Sequence, residues 1–179
     1  MTPYTEFTLW LVPREPLLGL LRSTIHKLAA ESGAVEFEPH VTVFCAPSTG
    51  DESRAVARRI GRQYAPIELT AERLDHSELY TKTLFVQFRD SAVLRQMFET
   101  AAANFSRPSN YLLNPHLSLL YKKQSLATLK QLSETLIIPM GGYAFERIRM
   151  IETELPIEDD GPVRRWRVVC DEPLQGLQR

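Results

Sequence analysis

Apolar runs and helix-like spacings alternate along this chain of 179 residues. Short runs of β-branched and aromatic residues between turns are typical of strands, whereas apolar residues three and four positions apart are typical of helices. The pattern predicts seven strands, at residues 7–12, 39–43, 66–74, 83–88, 115–119, 143–151 and 164–170. It predicts four helices, at residues 16–30, 51–64, 91–105 and 125–136. The charged stretch at 158–162 predicts a loop between the last two strands.

The order of these elements indicates an internal repeat. Trp10 precedes His40 by 30 residues and Val86 precedes His116 by 30 residues, so a strand, a helix and a histidine-bearing strand recur at matched spacing. Two copies are too few for a solenoid array, in which several units stack on one another. We therefore expect an α+β fold in which residues 1–179 form a single bilobal domain. Mixed or antiparallel sheets would line a central cleft, with the helices outside.

The two histidine-bearing strands carry the same motif. It is P-H-V-T-V at residues 39–43 and P-H-L-S-L at residues 115–119. Successive side chains of a strand point to opposite faces, so a histidine and the hydroxyl residue two positions later share one face. The aliphatic residues between them face the core. Each half of the chain therefore offers one imidazole and one hydroxyl to the cleft, as the pairs His40 with Thr42 and His116 with Ser118.

This set of side chains suits phosphoester cleavage without a metal. Two imidazoles can supply one proton donor and one proton acceptor near neutral pH. Two hydroxyls can hydrogen-bond the oxygens of a phosphate held between them. A zinc site is a second interpretation, but no carboxylate or cysteine stands at supporting spacing, and the hydroxyls at the same offset would serve no purpose there. We expect no metal and no cofactor.

Composition limits the range of ligands. The formal charge of −1 leaves no net field with which to hold a long polyanion, so a small charged ligand fits better than duplex nucleic acid. The two cysteines, Cys45 and Cys170, are too few for a disulfide scaffold, although a single disulfide between them stays open. No stretch is long enough to span a bilayer, and no leader precedes the first strand. We expect a cytoplasmic monomer without a membrane partner.

With both motifs in view, the chain resembles the two-histidine phosphoesterase superfamily, whose mark is a duplicated H-x-[ST] motif. Within that superfamily it is most similar to the cyclic phosphodiesterase branch, in the W-x-x-P-like segment at 10–13 and in P-H-L-S-L-L-Y at 115–121. The resemblance covers nearly the whole chain. It implies hydrolysis of ribose cyclic phosphates, either nucleoside 2′,3′-cyclic phosphates or ADP-ribose 1″,2″-cyclic phosphate. It also implies catalysis by His40 and His116, with Thr42 and Ser118 binding the phosphate.

Three further residues are candidate substrate contacts. Tyr121 ends the second motif and resembles a tyrosine that contacts substrate in the family, but strict alternation from His116 would point it to the opposite face unless the strand carries a bulge. Lys82 stands where the family branch often has aromatic or amide residues, and is either a phosphate ligand or a solvated lysine. Trp10 packs in the core or at the rim, or stacks on a base.

Two other functions stay open. An RNA-end enzyme of the same superfamily, a 2′-5′ ligase or phosphodiesterase, would be favoured by a continuous positive groove leading into the cleft. A nonenzymatic nucleotide-binding protein would keep the fold without the chemistry. Intact histidines and hydroxyls in both halves favour an enzyme, because a binding protein has no evident need for two groups that transfer protons.

Overall fold

The computed structural model describes residues 4–176 of the chain. Its strands are Tyr4–Pro13 (β1), Val41–Ala46 (β2), Ile67–His76 (β3), Leu84–Phe88 (β4), His116–Leu120 (β5), Gly141–Leu155 (β6) and Arg167–Pro173 (β7). Its α-helices are Leu17–Ser32 (α1), Gly50–Gln63 (α2), Ala92–Asn104 (α3), Leu126–Thr135 (α4) and Asp160–Arg164 (α5). A single 3₁₀ turn, Tyr80–Lys82, precedes β4. The predicted α+β class is confirmed.

Every strand pairing is antiparallel, and the pairings form a closed circuit. The order β1-β2-β5-β4-β3-β6 returns from β6 to β1, while β7 pairs with β6. The long strand β6 makes this possible, because residues 145–155 pair with β1 and residues 141–145 pair with β3. Between β2 and β5 the paired residues are a single couple, Val41 and Leu117. The two histidine-bearing strands are therefore direct neighbours.

The aliphatic residues of the two motifs anchor these strands in the core. Val41, Val43, Leu117 and Leu119 are fully buried, as the alternation of the sequence predicts. Hydroxyl side chains begin three of the helices that surround the sheet, since Thr49, Ser91 and Ser125 each accept a backbone N–H of the first turn of α2, α3 and α4. The two histidine-bearing strands are thus anchored in the core by their aliphatic side chains.

The pairing pattern around the two motifs is the same in both halves. Leu9 pairs with Phe44 and the next residue, Trp10, pairs with Thr42, so β2 carries one extra residue. Leu84 pairs with Leu120 and Phe85 pairs with Ser118, so β5 carries one extra residue at the corresponding place. These matched bulges support the predicted internal repeat. They also place Phe85, one residue before Val86, at the position that corresponds to Trp10.

The stretch at 158–162 differs from the predicted loop. It contributes to α5, whose N-terminus is capped by the Asp159 carboxylate, which accepts the backbone N–H of Gly161 at 2.8 Å. The Tyr80 hydroxyl donates to Asp160 at 2.5 Å and ties this helix to the 3₁₀ turn. Asp, Gly and Pro favour turns, which is why the sequence predicts a loop here. Pro162 is nevertheless compatible with a helix, because it lies in the first turn of α5, where a backbone N–H has no partner within the helix.

Among the residues described, none of the helices combines the length and the apolar character needed to cross a membrane.

We expect Gly61→Ala to destabilise the fold. A methyl group at Gly61 would meet the backbone oxygen of Pro173 at 2.8 Å, because α2 packs closely on the end of β7. Overpacking of this kind costs roughly 1–3 kcal/mol, more than the gain in helix propensity. Chemical denaturation measures the difference. Gly50→Ala is the matched control, because its methyl would meet only the Arg54 side chain at 3.4 Å, and an equal loss in both variants would contradict the packing argument.

Candidate active site

The two motifs meet in one cavity of about 210 Å³. His40, Thr42, His116 and Ser118 all line it. The register explains this convergence, because Val41 opposite Leu117 in an antiparallel pair sets His40 opposite Ser118 and Thr42 opposite His116. Opposed residues lie on the same face of a sheet. The structure thus brings together the four side chains that the sequence motif predicts for the centre of the site.

Both histidines are oriented in the same way. Nδ1 of His40 lies 2.6 Å from the carbonyl oxygen of Glu38, and Nδ1 of His116 lies 2.7 Å from the carbonyl oxygen of Asn114. A carbonyl oxygen can only accept, so Nδ1 carries the proton and donates in each case. Nε2 of each neutral imidazole therefore keeps its lone pair and is free to exchange a proton with a ligand.

The residues that supply these carbonyls are themselves held in place. The Glu38 carboxylate accepts hydrogen bonds from Arg22 at 2.5 Å and from Arg149 at 3.5 Å. The Asn114 side chain accepts a weaker bond from Gln87 at 3.3 Å. These contacts link the orientation of each imidazole to neighbouring elements, since Arg22 lies on α1, Arg149 on β6 and Gln87 on β4. Sequence reasoning missed them because nothing local connects these positions.

Burial keeps both imidazoles neutral in the free protein. It lowers the pKa of His40, which is 6% exposed, to about 3, against the opposing effect of the bond to Glu38 and with a further lowering by the charges of His116 and Arg149. It lowers the pKa of the half-buried His116 to about 4, with the Lys82 charge acting in the same direction. At neutral pH the Nε2 atoms of both imidazoles are therefore acceptors.

Aromatic rings enclose His40. Trp10 stacks on it, with the ring centroids 3.5 Å apart and the planes 9° from parallel. Trp166, which follows α5, lies edge-on to both rings, with centroids 5.0 Å from Trp10 and 6.0 Å from His40. Trp10 thus supports a catalytic candidate directly. Sequence reasoning assigned Trp166 to the last strand, but it lies just before β7 and lines the cavity.

The two hydroxyls differ in what they offer. Ser118 is 3% exposed and its hydroxyl donates to the carbonyl oxygen of Thr81 at 2.8 Å. It must turn its proton away from Thr81 to donate to a phosphate. The Thr42 side chain is half-buried and lines the cavity, while its own carbonyl accepts the Tyr111 hydroxyl at 3.0 Å. Thr42 is therefore the hydroxyl that is ready to donate to a bound anion.

The bulge in β5 decides where Tyr121 points. Strict alternation from His116 would turn its side chain to the opposite face, but the extra residue in β5 shifts the alternation. Tyr121 lines the cavity as a result, buried and stacked on Phe37 with centroids 3.8 Å apart. The matched bulge in β2 turns the side chain of Cys45 into the cavity in the same way.

Lys82 is not part of the cavity lining. It belongs to the 3₁₀ turn, and its ammonium lies 4.1 Å from the centre of the Phe85 ring. That ring lies edge-on to His116 at 5.7 Å. Lys82 therefore lies near His116, and its positive charge disfavours the protonated imidazole.

The far end of the cavity contains residues that sequence reasoning did not select. Glu6 and Thr8 lie on β1 on the same face as Trp10, and Thr153 is the partner of Glu6 on β6. The alternation of Glu6, Thr8 and Trp10 along one strand was the available signal. Within residues 4–176, no three His, Cys, Asp or Glu side chains lie close enough together to hold a metal ion. Cys45 and Cys170 are both free thiols.

Solved structures share this fold over nearly the whole chain. A superposition on TT0787 of Thermus thermophilus covers 97% of this chain and 100% of that one, with a TM-score of 0.63 and 15% identity. A superposition on LigT of E. coli complexed with 3′-AMP covers 97% of this chain and 99% of LigT, with a TM-score of 0.58 and 16% identity. A superposition on a structure described as a phosphoesterase covers 97% of this chain and 99% of that one, with a TM-score of 0.57 and 14% identity.

These neighbours define the class of fold, and the chain has the fold of the two-histidine phosphoesterases. The predicted resemblance is confirmed at that level. No protein-family model matches the chain, and no curated protein sequence matches it. At 14–16% identity the likeness defines the fold and leaves the chemistry to the residues of the site.

We expect the buried histidines to make stability depend on pH. The pKa of His40 is about 3 in the folded protein and near 6.5 in the unfolded chain, so the unfolded chain binds more protons between these values. The contribution of the neutral His40 imidazole to the free energy of unfolding is fully present above pH 6.5 and is lost as the pH falls toward 3. Chemical denaturation of the native protein and of His40→Gln between pH 7 and pH 5 measures it. A smaller loss in the variant is expected, and equal slopes would contradict a neutral buried imidazole.

Proposed function

We propose that the protein hydrolyses ribose cyclic phosphates by two-histidine acid–base catalysis, without a metal. The substrates would be nucleoside 2′,3′-cyclic phosphates, giving nucleoside 2′-phosphates, or ADP-ribose 1″,2″-cyclic phosphate, giving ADP-ribose 1″-phosphate. The observation that carries this proposal is the matched orientation of the two imidazoles. Each donates Nδ1–H to the carbonyl two residues earlier, and each leaves Nε2 free in a cavity shared with two hydroxyls.

The reaction needs one neutral and one protonated histidine. An anionic phosphate in the cavity favours protonation of a neighbouring imidazole, because an opposite charge nearby raises its pKa. We assign the proton to His116, because it is less buried than His40 and burial disfavours the charged form of an imidazole. His40 then serves as the base. Substrate binding itself would therefore create the acid–base pair.

The chemical step is an in-line attack on phosphorus. Nε2 of His40 removes a proton from water as the new P–O bond forms, and Nε2–H of His116 donates its proton to the ribose oxygen as the old P–O bond breaks. Thr42, and Ser118 after rotation of its hydroxyl, donate hydrogen bonds to the non-bridging oxygens, whose charge must be held in the transition state. Tyr121 and Trp10 shape the cavity around the substrate.

The neighbours give general support. LigT of E. coli has been crystallised with 3′-AMP and with NADP⁺, so a protein of this fold holds mononucleotides and dinucleotides. An RNA-end ligase or phosphodiesterase is a second candidate, and salt-sensitive binding of oligonucleotides would favour it. The arginines beside Trp166 add little positive charge for binding RNA, because each of them pairs with a carboxylate. They are Arg164, Arg165 and Arg167. A cytoplasmic monomer without a cofactor stays the expectation from the sequence.

The first test is ³¹P NMR of the protein with a nucleoside 2′,3′-cyclic phosphate in the presence of a chelator. We expect conversion to one phosphomonoester, the 2′-phosphate, because the proposed chemistry needs no metal. His40→Ala and His116→Ala are expected to lower kcat by roughly 10²–10⁴-fold. His26→Ala, which changes an exposed histidine outside the cavity, is the matched control. Conversion that the chelator abolishes, or that survives both active-site substitutions, would contradict the proposal.

The assignment of acid and base has its own test. We expect a cyclic phosphate with sulfur in place of the departing ribose oxygen to restore turnover in His116→Ala, because a thiolate leaves without a proton. The same substrate should not restore His40→Ala, which lacks the base. The measurement is the rate of thiol release for both variants. Rescue of His40→Ala in place of His116→Ala would reverse the two roles.

A further inference from the structure

The cavity continues well past the histidines along β1. Glu6, Thr8 and Trp10 alternate on one face of this strand and all line the cavity. Trp10 stacks on His40, so it marks the catalytic end. Glu6 stands four residues away, which is about 13 Å along a strand. That span suits a nucleoside phosphate with its phosphate at the histidines and its base toward Glu6.

The far end is built from hydrogen-bond acceptors. The Thr153 hydroxyl donates to the backbone oxygen of Glu6 at 3.2 Å and lies 3.2 Å from the Thr8 hydroxyl. Because the Thr153 hydroxyl gives its proton to the Glu6 carbonyl, the Thr8 hydroxyl is the donor between the two threonines. The Thr8 oxygen can then still accept a hydrogen bond from a ligand. Both hydroxyl protons are therefore used within the protein. A ligand that reaches this end meets oxygens that need donors.

Glu6 is the strongest of these acceptors. Its carboxylate lines the cavity and is half-buried, and none of the ion pairs formed by residues 4–176 involves it. Its neighbour in the cavity lining is the Cys45 thiol, a weak donor, and burial raises the pKa of Glu6 while this thiol lowers it. A partly buried carboxylate without a cation gains most from a ligand that brings two N–H donors.

We propose that this end of the cleft binds the guanine base of the substrate, with the two oxygens of Glu6 accepting N1–H and the exocyclic N2–H. Guanine is the base that presents two adjacent N–H donors on one edge. Adenine and cytosine place a ring acceptor beside their amino group, and uracil flanks its single N–H with two carbonyls. Each of those edges would set an acceptor against the carboxylate. The inference rests on the proposed function, because it takes the histidines as the phosphate end.

The same carboxylate disfavours a second phosphate. The pyrophosphate of ADP-ribose cyclic phosphate would extend from the histidines toward the negative charge of Glu6, and like charges in a partly buried site repel strongly. A nucleoside that carries a single phosphate avoids this contact. Of the two substrate types proposed above, guanosine 2′,3′-cyclic phosphate therefore fits the cavity better.

The test compares kcat/KM for guanosine and uridine 2′,3′-cyclic phosphates in the native protein and in Glu6→Gln. Hydrogen bonds to a charged group contribute about 1.5–3 kcal/mol, so we expect a loss of roughly 10-fold or more for the guanosine substrate and little change for uridine. Glu99→Gln, which removes an equal charge from the exposed face of α3, is the control and should change neither value. No preference for guanosine in the native protein, or an equal loss on both substrates in Glu6→Gln, would overturn the proposal.

Binding without turnover separates this proposal from the proposed function. Guanosine 2′-monophosphate and uridine 2′-monophosphate are titrated calorimetrically into the native protein and into Glu6→Gln. Tighter binding of the guanosine nucleotide that disappears in Glu6→Gln supports the base site even if no cyclic phosphate is hydrolysed. Equal affinity for the two nucleotides overturns the base site even if both cyclic phosphates are hydrolysed.

Discussion

The pairing of β2 with β5 is the contact on which the site depends. A single couple, Val41 with Leu117, joins the two strands, and the antiparallel register alone then sets His40 opposite Ser118 and Thr42 opposite His116. The paired residues are fully buried, so the strands cannot slip by one position without turning the aliphatic side chains into the cavity. The relative position of two histidines from distant parts of the chain is thus fixed by core packing.

The cavity disfavours a positive charge on either histidine. Burial lowers the pKa of both imidazoles, and the charges of Arg149 and Lys82 act in the same direction on His40 and His116. An anion beside either imidazole would favour the protonated form, because an opposite charge nearby raises the pKa of a histidine. The burial of His40 comes from the rings of Trp10, Phe37 and Trp166, which pack around it.

The likeness to LigT and TT0787 is a likeness of fold, at 15–16% identity. A shared fold does not define a substrate, because specificity depends on the side chains that line each cavity. In this protein the histidines and hydroxyls occupy one end of the cavity, and the carboxylate of Glu6 occupies the other. The proposed reaction on phosphate rests on the first set, and the proposed preference for guanine rests on the second.

Local sequence patterns were enough to predict the α+β class, nearly all of the strands and helices, and the convergence of two imidazoles and two hydroxyls on one cavity. They were enough because alternation is a local property, and because a motif that occurs twice with buried flanks points both copies at one cleft. They failed at residues 158–162, where turn-forming residues begin a short helix. The remaining features depend on pairings between strands distant in the chain: the bulges that turn Tyr121 and Cys45 into the cavity, the stacking of Trp10 on His40, and the approach of Glu6 and Thr153. Registers of that kind are set by packing across the whole sheet, which no local pattern records.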